Sequence, residues 1–260
     1  MSNFLRINKN GHILEIILDR PRANAIDSVA SREMGKVFTE FRDDPDLRVA
    51  ILTGAGEKFF SAGWDLKAVS EGEGYFDDYG EGGFGGFAEL PGLLKPVICA
   101  VNGMAIGAGF EMLLRADFII AADHAQFTLP EARMGVAPDV GTFMLSKLLP
   151  RQKAFEILMT GRQFSAQELA SFGLINDVVP VDQLMDKARA LADELLLAAP
   201  LTLAAIKEAV NLSENLTFED SLAALRSKAW PVFMKMLNSD DAKEGAKAFV
   251  EKRDPDWKGR

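Results

Sequence analysis

The residues of this 260-residue chain that could do chemistry gather in three short blocks. The first is Asn102-Gly103-Met104-Ala105-Ile106-Gly107-Ala108-Gly109-Phe110-Glu111, where an apolar run gives way to small residues and a helix is expected to start near Gly107 to Gly109. Small residues let a ligand approach the backbone closely, and the first turn of a helix offers unpaired N–H groups. That combination suits an oxyanion, and Glu111, one turn beyond Ala108, can face the same ligand. Close packing of helix on strand is the alternative use of the same glycines. The second block is Phe59-Phe60-Ser61-Ala62-Gly63-Trp64-Asp65-Leu66-Lys67, where a polar turn could add a second backbone donor or be an ordinary strand-to-helix loop. The third is Phe127-Thr128-Leu129-Pro130-Glu131-Ala132-Arg133. Alone, Glu131 after Pro130 reads as a helix-start residue. Sharing a site with Glu111 it would form an acid/base pair, because two carboxyls can divide those roles. Spacing along the chain does not show whether the two meet.

Other candidates are weaker. The single cysteine, Cys99, lies in an apolar run and reads as an inert core thiol. His12 and His124, the only histidines, sit among polar residues as expected surface and turn positions. No phosphate-binding loop, G-x-S-x-G elbow or H-E-x-x-H pair occurs, and Met112 stands where a dinucleotide motif beginning at Gly107 needs glycine. One cysteine excludes a disulfide framework and a cysteine-based zinc site. A net charge of −9 makes general nucleic-acid binding unfavourable, so an anionic ligand would need a local basic patch. The N-terminal residues have no long apolar core, and Pro96 to Phe110, 15 residues including Asn102, is too short for a bilayer. No signal peptide, membrane or nucleic-acid partner is expected, and a cytoplasmic protein is.

The elements that must position these residues alternate. Ile13 to Leu18, Val49 to Leu52, Val97 to Val101 and Phe118 to Ala121 read as strands, and Ser28 to Phe41 as a helix with Val29, Met34, Val37, Phe38 and Phe41 on one face. From Pro138 onward helices dominate: Val181 to Ala198, Leu201 to Leu212, Thr217 or Glu219 to about Pro231, and Asp240 or Asp241 to Lys252. The segment 71–86, EGEGYFDDYGEGGFGG, carries seven glycines and reads as a mobile surface loop, either a plain insertion or a cover for a ligand. If it folds over the site, Tyr75, Phe76, Tyr79, Phe84 and Phe87 with Trp64, and Asp77, Asp78 and Glu81, could receive a cationic group.

Together these pieces resemble the enoyl-CoA hydratase/isomerase, or crotonase, family nearly end to end. The resemblance rests on Arg20-Pro21-Arg22-Ala23-Asn24-Ala25, Phe60 to Lys67, Lys95-Pro96-Val97 with Val101-Asn102-Gly103, Gly107 to Glu111, Ala116-Asp117-Phe118, Pro130-Glu131 and Ala248 to Arg253. It implies an α/β fold: a crotonase-like ββα spiral core over residues 1–197 and a C-terminal helical trimerisation region over 198–260. It implies a homotrimer or dimer of trimers acting on an acyl-CoA thioester, coenzyme A being part of the substrate, with no metal and no further cofactor. By resemblance, the Trp64 and Ala108 N–H groups form an oxyanion hole, and Glu111 and Glu131 match the acids of hydratases. Arg22 and Lys67 match positions near the coenzyme A phosphates, with Ala23, Ala25, Ala62, Asp65 and Leu66 in the same coenzyme A site. Phe249 and Lys252 match C-terminal residues that reach a neighbouring subunit's coenzyme A. The implied reaction is reversible hydration of a 2-enoyl-CoA. A double-bond isomerase and a non-catalytic acyl-CoA-binding homologue are the alternatives, the first able to run on one carboxylate.

Two departures stand out. Ala108 replaces the middle glycine of the family's usual three, which keeps the N–H and adds a methyl. Pro138-Asp139-Val140-Gly141-Thr142-Phe143-Met144-Leu145 has one glycine where the family usually has a pair, at a loop bordering the acyl pocket. The departure leaves the implied general reaction intact and leaves the acyl group open.

Overall fold

The computed structural model describes residues 4–260. The first three residues, part of the N-terminal stretch considered above, lie outside it. The chain forms two compact units, one of residues up to Leu93 with Val97–Ala192, the other of Leu94–Pro96 with Asp193–Arg260.

In the first unit a six-stranded sheet has the order β1-β2-β3-β5-β7-β10, from β1 (Leu5–Asn10), β2 (Ile13–Leu18), β3 (Val49–Gly54), β5 (Val97–Val101), β7 (Phe118–Ala122) and β10 (Asp177–Val179). A second sheet has the order β4-β6-β8-β9, from β4 (Phe59–Ser61), β6 (Met104–Ile106), β8 (Gln126–Thr128) and β9 (Phe164–Ser165). Three times the chain runs from a long strand of the first sheet into a short strand of the second: β3 to β4, β5 to β6, β7 to β8. Neighbouring turns pair in parallel in both sheets. That is the expected ββα spiral.

The central strands β3 and β5 are buried throughout, which explains their continuous apolar runs. At the edge, β1 carries Arg6, Asn8 and Lys9, which discourages further pairing. The corner between sheets is tied by Asn102. Its Oδ1 accepts from Gly54 N–H (3.0 Å), and its Nδ2 donates to Gly56 O (2.6 Å) and Phe59 O (3.1 Å). One buried side chain thus satisfies groups of the adjoining turn that sheet pairing cannot reach.

Helix α1 (Ser28–Asp43) starts at Asp27, whose side chain accepts from Ala30 N–H, and ends before Pro45, which disfavours helical backbone in the residue preceding it. Its buried face holds Ala30, Ser31, Met34, Gly35, Phe38 and Phe41. Val29, expected on that face, is exposed: five residues from Met34 place it about 140° around the helix. The remaining helices of this unit are α2 (Leu66–Ser70), α3 (Ala108–Glu111), α4 (Glu131–Met134), α5 (Asp139–Leu148), α6 (Arg151–Thr160), α7 (Ala166–Ser171) and α8 (Leu184–Leu196), in which the division between units falls. The helix expected from Val181 begins instead as one 3₁₀ turn, Val181–Gln183.

The glycine-rich segment is not a free excursion. Gly82, Gly83, Gly85, Gly86 and Phe87 are buried, and Phe87 packs on Phe38 with ring centroids 4.8 Å apart. A Cβ on Gly86 (φ +80°) would lie 2.3 Å from Gly35 N. Gly86 therefore serves close packing against α1 and Gly85 packing on Met112, so residues 82–87 are packed where a mobile loop was the expectation, while most of residues 71–81 are exposed.

The second unit holds α9 (Pro200–Ser213), α10 (Phe218–Arg226), α11 (Pro231–Leu237) and α12 (Asp240–Glu251). The helix expected from Thr217 or Glu219 to about Pro231 ends earlier, at Arg226, and Lys228 just beyond it is left-handed (φ 62°). Pro231 opens α11, its missing N–H costing nothing at a first helical position, and Trp230 before it is extended. Buried Glu208 accepts from Val232 N–H (3.0 Å) and Phe233 N–H (2.8 Å), capping α11. Asp241 likewise accepts from Lys258 N–H (2.7 Å) and Gly259 N–H (2.8 Å). Among the described residues, no single helix is long and apolar enough to cross a membrane.

Candidate active site

The Trp64 turn is held by a parallel bridge to Ile26: Ile26 N–H donates to Gly63 O (2.8 Å) and Asp65 N–H donates to Ile26 O (2.9 Å). The alternation of a bridge turns the intervening Trp64 N–H away from Ile26, and it has no partner among the described residues. Gly63 is the contact between this turn and α3. At φ +78° with a Cβ position 2.5 Å from Ile106 O and 3.0 Å from Ala108 N, only glycine fits. Ala108 is the first residue of α3, so its N–H has no partner within the helix. Two free backbone donors thus stand on touching segments.

The two glutamates reach the same place from different elements. Glu111 closes α3, is 7% exposed, and its Oε1 accepts from Gly141 N–H (2.7 Å) in the first turn of α5. Glu131 opens α4, and a Cβ on Gly107 would lie 2.7 Å from its Oε1. Its Oε2 is buried with no hydrogen-bond partner among the described residues. A buried carboxylate oxygen without a donor is costly, and a ligand carrying a proton would satisfy it. Burial raises the Glu111 carboxyl to about 8 against the Gly141 hydrogen bond, and the negative charges of Asp139 and Glu131 add to the rise. Glu131 is also raised, chiefly by burial, its own backbone N–H opposing and Asp139 adding. The site therefore retains a proton at neutral pH.

The expected coenzyme A residues lie on two joined segments. Ala62 N–H donates to Ala23 O (2.9 Å), and Arg20 Nη1 donates to Ala25 O (2.6 Å) and pairs with Asp65 (2.9 Å). Asp65 also caps α2 through Lys67 N–H (3.0 Å), so its carboxylate is occupied by structure. Arg22, Leu66 and Lys67 are exposed, Lys67 in a loose ion pair with Glu71 (3.7 Å). Phe249 is 86% exposed on α12, and Lys252 ends that helix in a left-handed conformation. Both belong to the second unit.

Four residues with evident roles here escaped the sequence reading as site residues. Arg20 joins the two segments, since it also binds Asp27. Glu73 accepts from Trp64 Nε1 (2.7 Å), Ser28 N–H (2.9 Å) and Tyr79 OH (3.3 Å). Burial works to raise Glu73, but these bonds outweigh it and hold it below the usual carboxylate range. Asp139, at the head of α5, lies beside Glu111 and the Tyr75 hydroxyl. Gly141 supplies the donor to Glu111. The alternation of Arg20 with Asp27 and Asp65 was a usable signal for the first. Asp139 and Gly141 lie in the stretch already noted as departing from the family pattern, and nothing local marks Glu73. Among the described residues, no group of three or more histidine, cysteine, aspartate or glutamate side chains is placed to hold a metal ion.

Residues 8–260 match the family model described as enoyl-CoA hydratase/isomerase. The chain is 54% identical over 261 residues to carnitinyl-CoA dehydratase of Escherichia coli O157:H7, covering all of both chains. Among solved structures, enoyl-CoA hydratase from Mycobacterium tuberculosis H37Rv superposes with a TM-score of 0.90 at 34% identity, covering all of both. Enoyl-CoA hydratase from Bacillus anthracis does so with a TM-score of 0.86 at 31% identity, over 99% of this chain and 100% of the other. The chain belongs to the enoyl-CoA hydratase/isomerase family. Within it, the chain is similar along its whole length to carnitinyl-CoA dehydratase, as the blocks Phe41 to Pro45, Glu57 to Ala68 and Glu251 to Arg260 suggest.

Proposed function

We propose that this enzyme reversibly adds water to a 2-enoyl-CoA thioester, with crotonobetainyl-CoA and carnitinyl-CoA as the substrate pair. The observation that carries the reaction is the convergence of Glu111 and Glu131, raised together, beside the backbone of α3. Attack of water on the β-carbon sends electrons to the thioester oxygen, forming an enolate. The N–H groups of Trp64 and Ala108 stabilise that oxygen without reorganising. One glutamate takes the proton from water, the other delivers a proton to the α-carbon, and dehydration is the reverse. A pair retaining one proton is suited to both directions. The chemistry requires no metal or redox cofactor. The substrate assignment draws on the similarity to carnitinyl-CoA dehydratase. The same reading has Arg22, Ala23, Ala25, Ala62, Asp65, Leu66 and Lys67 at coenzyme A. It has a cytoplasmic homotrimer or dimer of trimers, in which Phe249 and Lys252 serve a neighbour's site.

The test follows loss of the enoyl-thioester absorbance on crotonyl-CoA and crotonobetainyl-CoA, with product masses, beside Glu131→Gln. Gain of one water that collapses in the variant supports the reading. A moved double bond without mass change, on a 3-enoyl substrate, replaces hydration with isomerisation. Acyl-CoA binding without any product replaces it with a non-catalytic role.

A further inference from the structure

The glycine-rich segment brings one aromatic ring to the site. Tyr75 packs edge-on against Trp64, ring centroids 6.4 Å apart at 71°, and Phe76 packs on Tyr75 at 5.0 Å. Glu73 holds the Trp64 indole in place for this contact. The other aromatics of the segment are used elsewhere: Phe87 in the core against Phe38, Tyr79 against Phe84. Its acids are also engaged. Asp77 accepts from Gly74 N–H (2.8 Å), Asp78 from Gly80 N–H (2.9 Å), and Glu81 pairs with Arg42 (3.2 Å). The negative charges bearing on Tyr75 come first from Asp139, in the segment that departs from the family pattern, and then from Glu111 and Glu89. Asp139 stands two residues before Gly141, whose N–H binds Glu111, so it is held beside Glu111. It is exposed, with Oδ1 accepting from Val140 N–H (2.5 Å).

We infer that Tyr75 and Asp139, with Trp64, form a subsite that selects acyl groups carrying a permanent cation. A quaternary ammonium has no N–H to donate. It is recognised by aromatic faces and by nearby negative charge, which this corner combines. The named charges bearing on Glu111 are those of Glu131 and Asp139, both negative. A cationic acyl group relieves that repulsion, and a neutral chain of equal shape does not. The inference rests on the proposed hydratase reading and deepens it by assigning the residues that choose the substrate.

The test compares crotonobetainyl-CoA with its neutral carbon isostere, 5,5-dimethylhex-2-enoyl-CoA, in which a quaternary carbon replaces nitrogen. The readout is the ratio of kcat/KM for the two. A change in the acidity of Glu111 affects both substrates and cancels in the ratio. Wild type is expected to favour the cation. Asp139→Asn should cut the ratio about tenfold and Tyr75→Leu about threefold to tenfold, the range of one charge and one aromatic face at a partly solvated site. Tyr75→Phe keeps the face and should keep most of the preference. Circular dichroism and gel filtration of each variant confirm that it is folded. A wild-type preference that survives both Asp139→Asn and Tyr75→Leu overturns the subsite and leaves the carnitinyl reading standing. A wild type that hydrates the isostere as well as crotonobetainyl-CoA overturns the carnitinyl reading and the subsite together, while hydration itself stands.

Discussion

Replacing Glu111 with glutamine should make the protein more stable at neutral pH and leave it nearly unchanged in acid. Folded Glu111 keeps its proton to about pH 8, whereas an unperturbed glutamate loses it near 4.5. Between those values the folded state binds more protons than the unfolded chain. Stability from this group is therefore complete below pH 4.5 and is lost as pH rises toward 8. Integration gives a loss of ~3 kcal/mol between pH 4.5 and 7, rising to ~4 kcal/mol by pH 8.5. Glutamine does not titrate, and its Oε1 can still accept from Gly141 N–H. Thermal unfolding of wild type and Glu111→Gln from pH 4.5 to 8.5 reads the difference, since the other titrating groups are common to both. At about 2–4 °C per kcal/mol for a chain of this size, the variant should melt ~6–12 °C higher at pH 7. A gap that does not widen with pH, or a variant less stable at pH 7, would refute burial as the cause of the raised pKa. The same variant should lose hydratase activity.

Four further outcomes follow from the geometry. Ala108→Pro removes the N–H at the first position of α3, where proline is tolerated, so the fold should persist by circular dichroism while kcat falls about 10²- to 10³-fold. Glu131→Gln should lower kcat on crotonyl-CoA by about 10²- to 10⁴-fold in steady-state assays. Asn102→Ala breaks four hydrogen bonds at the corner between sheets, one of them long, and should lower unfolding free energy by about 2–4 kcal/mol in urea titration. Gly63→Ala forces a methyl toward Ile106 O and the α3 backbone, and should lower both melting temperature and kcat, the latter by about tenfold or more.

Much of this protein is legible in the order of its residues. Runs such as Val97 to Val101 must be buried strands because nothing in them can face water, and the spacing of Met34, Phe38 and Phe41 demands a helix face. The family motifs carried the fold, since they span the whole chain in order. Short pieces escaped: β4, β6, β8 and β9 have two or three residues each, too few for a period, and exist because the spiral supplies partners. Pro231 was read as the end of a helix, whereas α10 stops at Arg226 and the proline opens α11.

The sequence by itself determined which side chains were available: Glu111 and Glu131 with small residues before them, one cysteine and two histidines. Tertiary structure decided which of them meet. Glu111 and Glu131 come from helices 20 residues apart and converge because successive spiral turns stack in register. Tyr75 was marked only as one of several aromatics in the glycine-rich segment, and Asp139 only as part of a stretch that departs from the family pattern. Only the fold brings them together beside Glu111 and Glu131. The acidity of that pair has the same origin, because desolvation and charge repulsion depend on distance in space and have no counterpart in spacing along the chain.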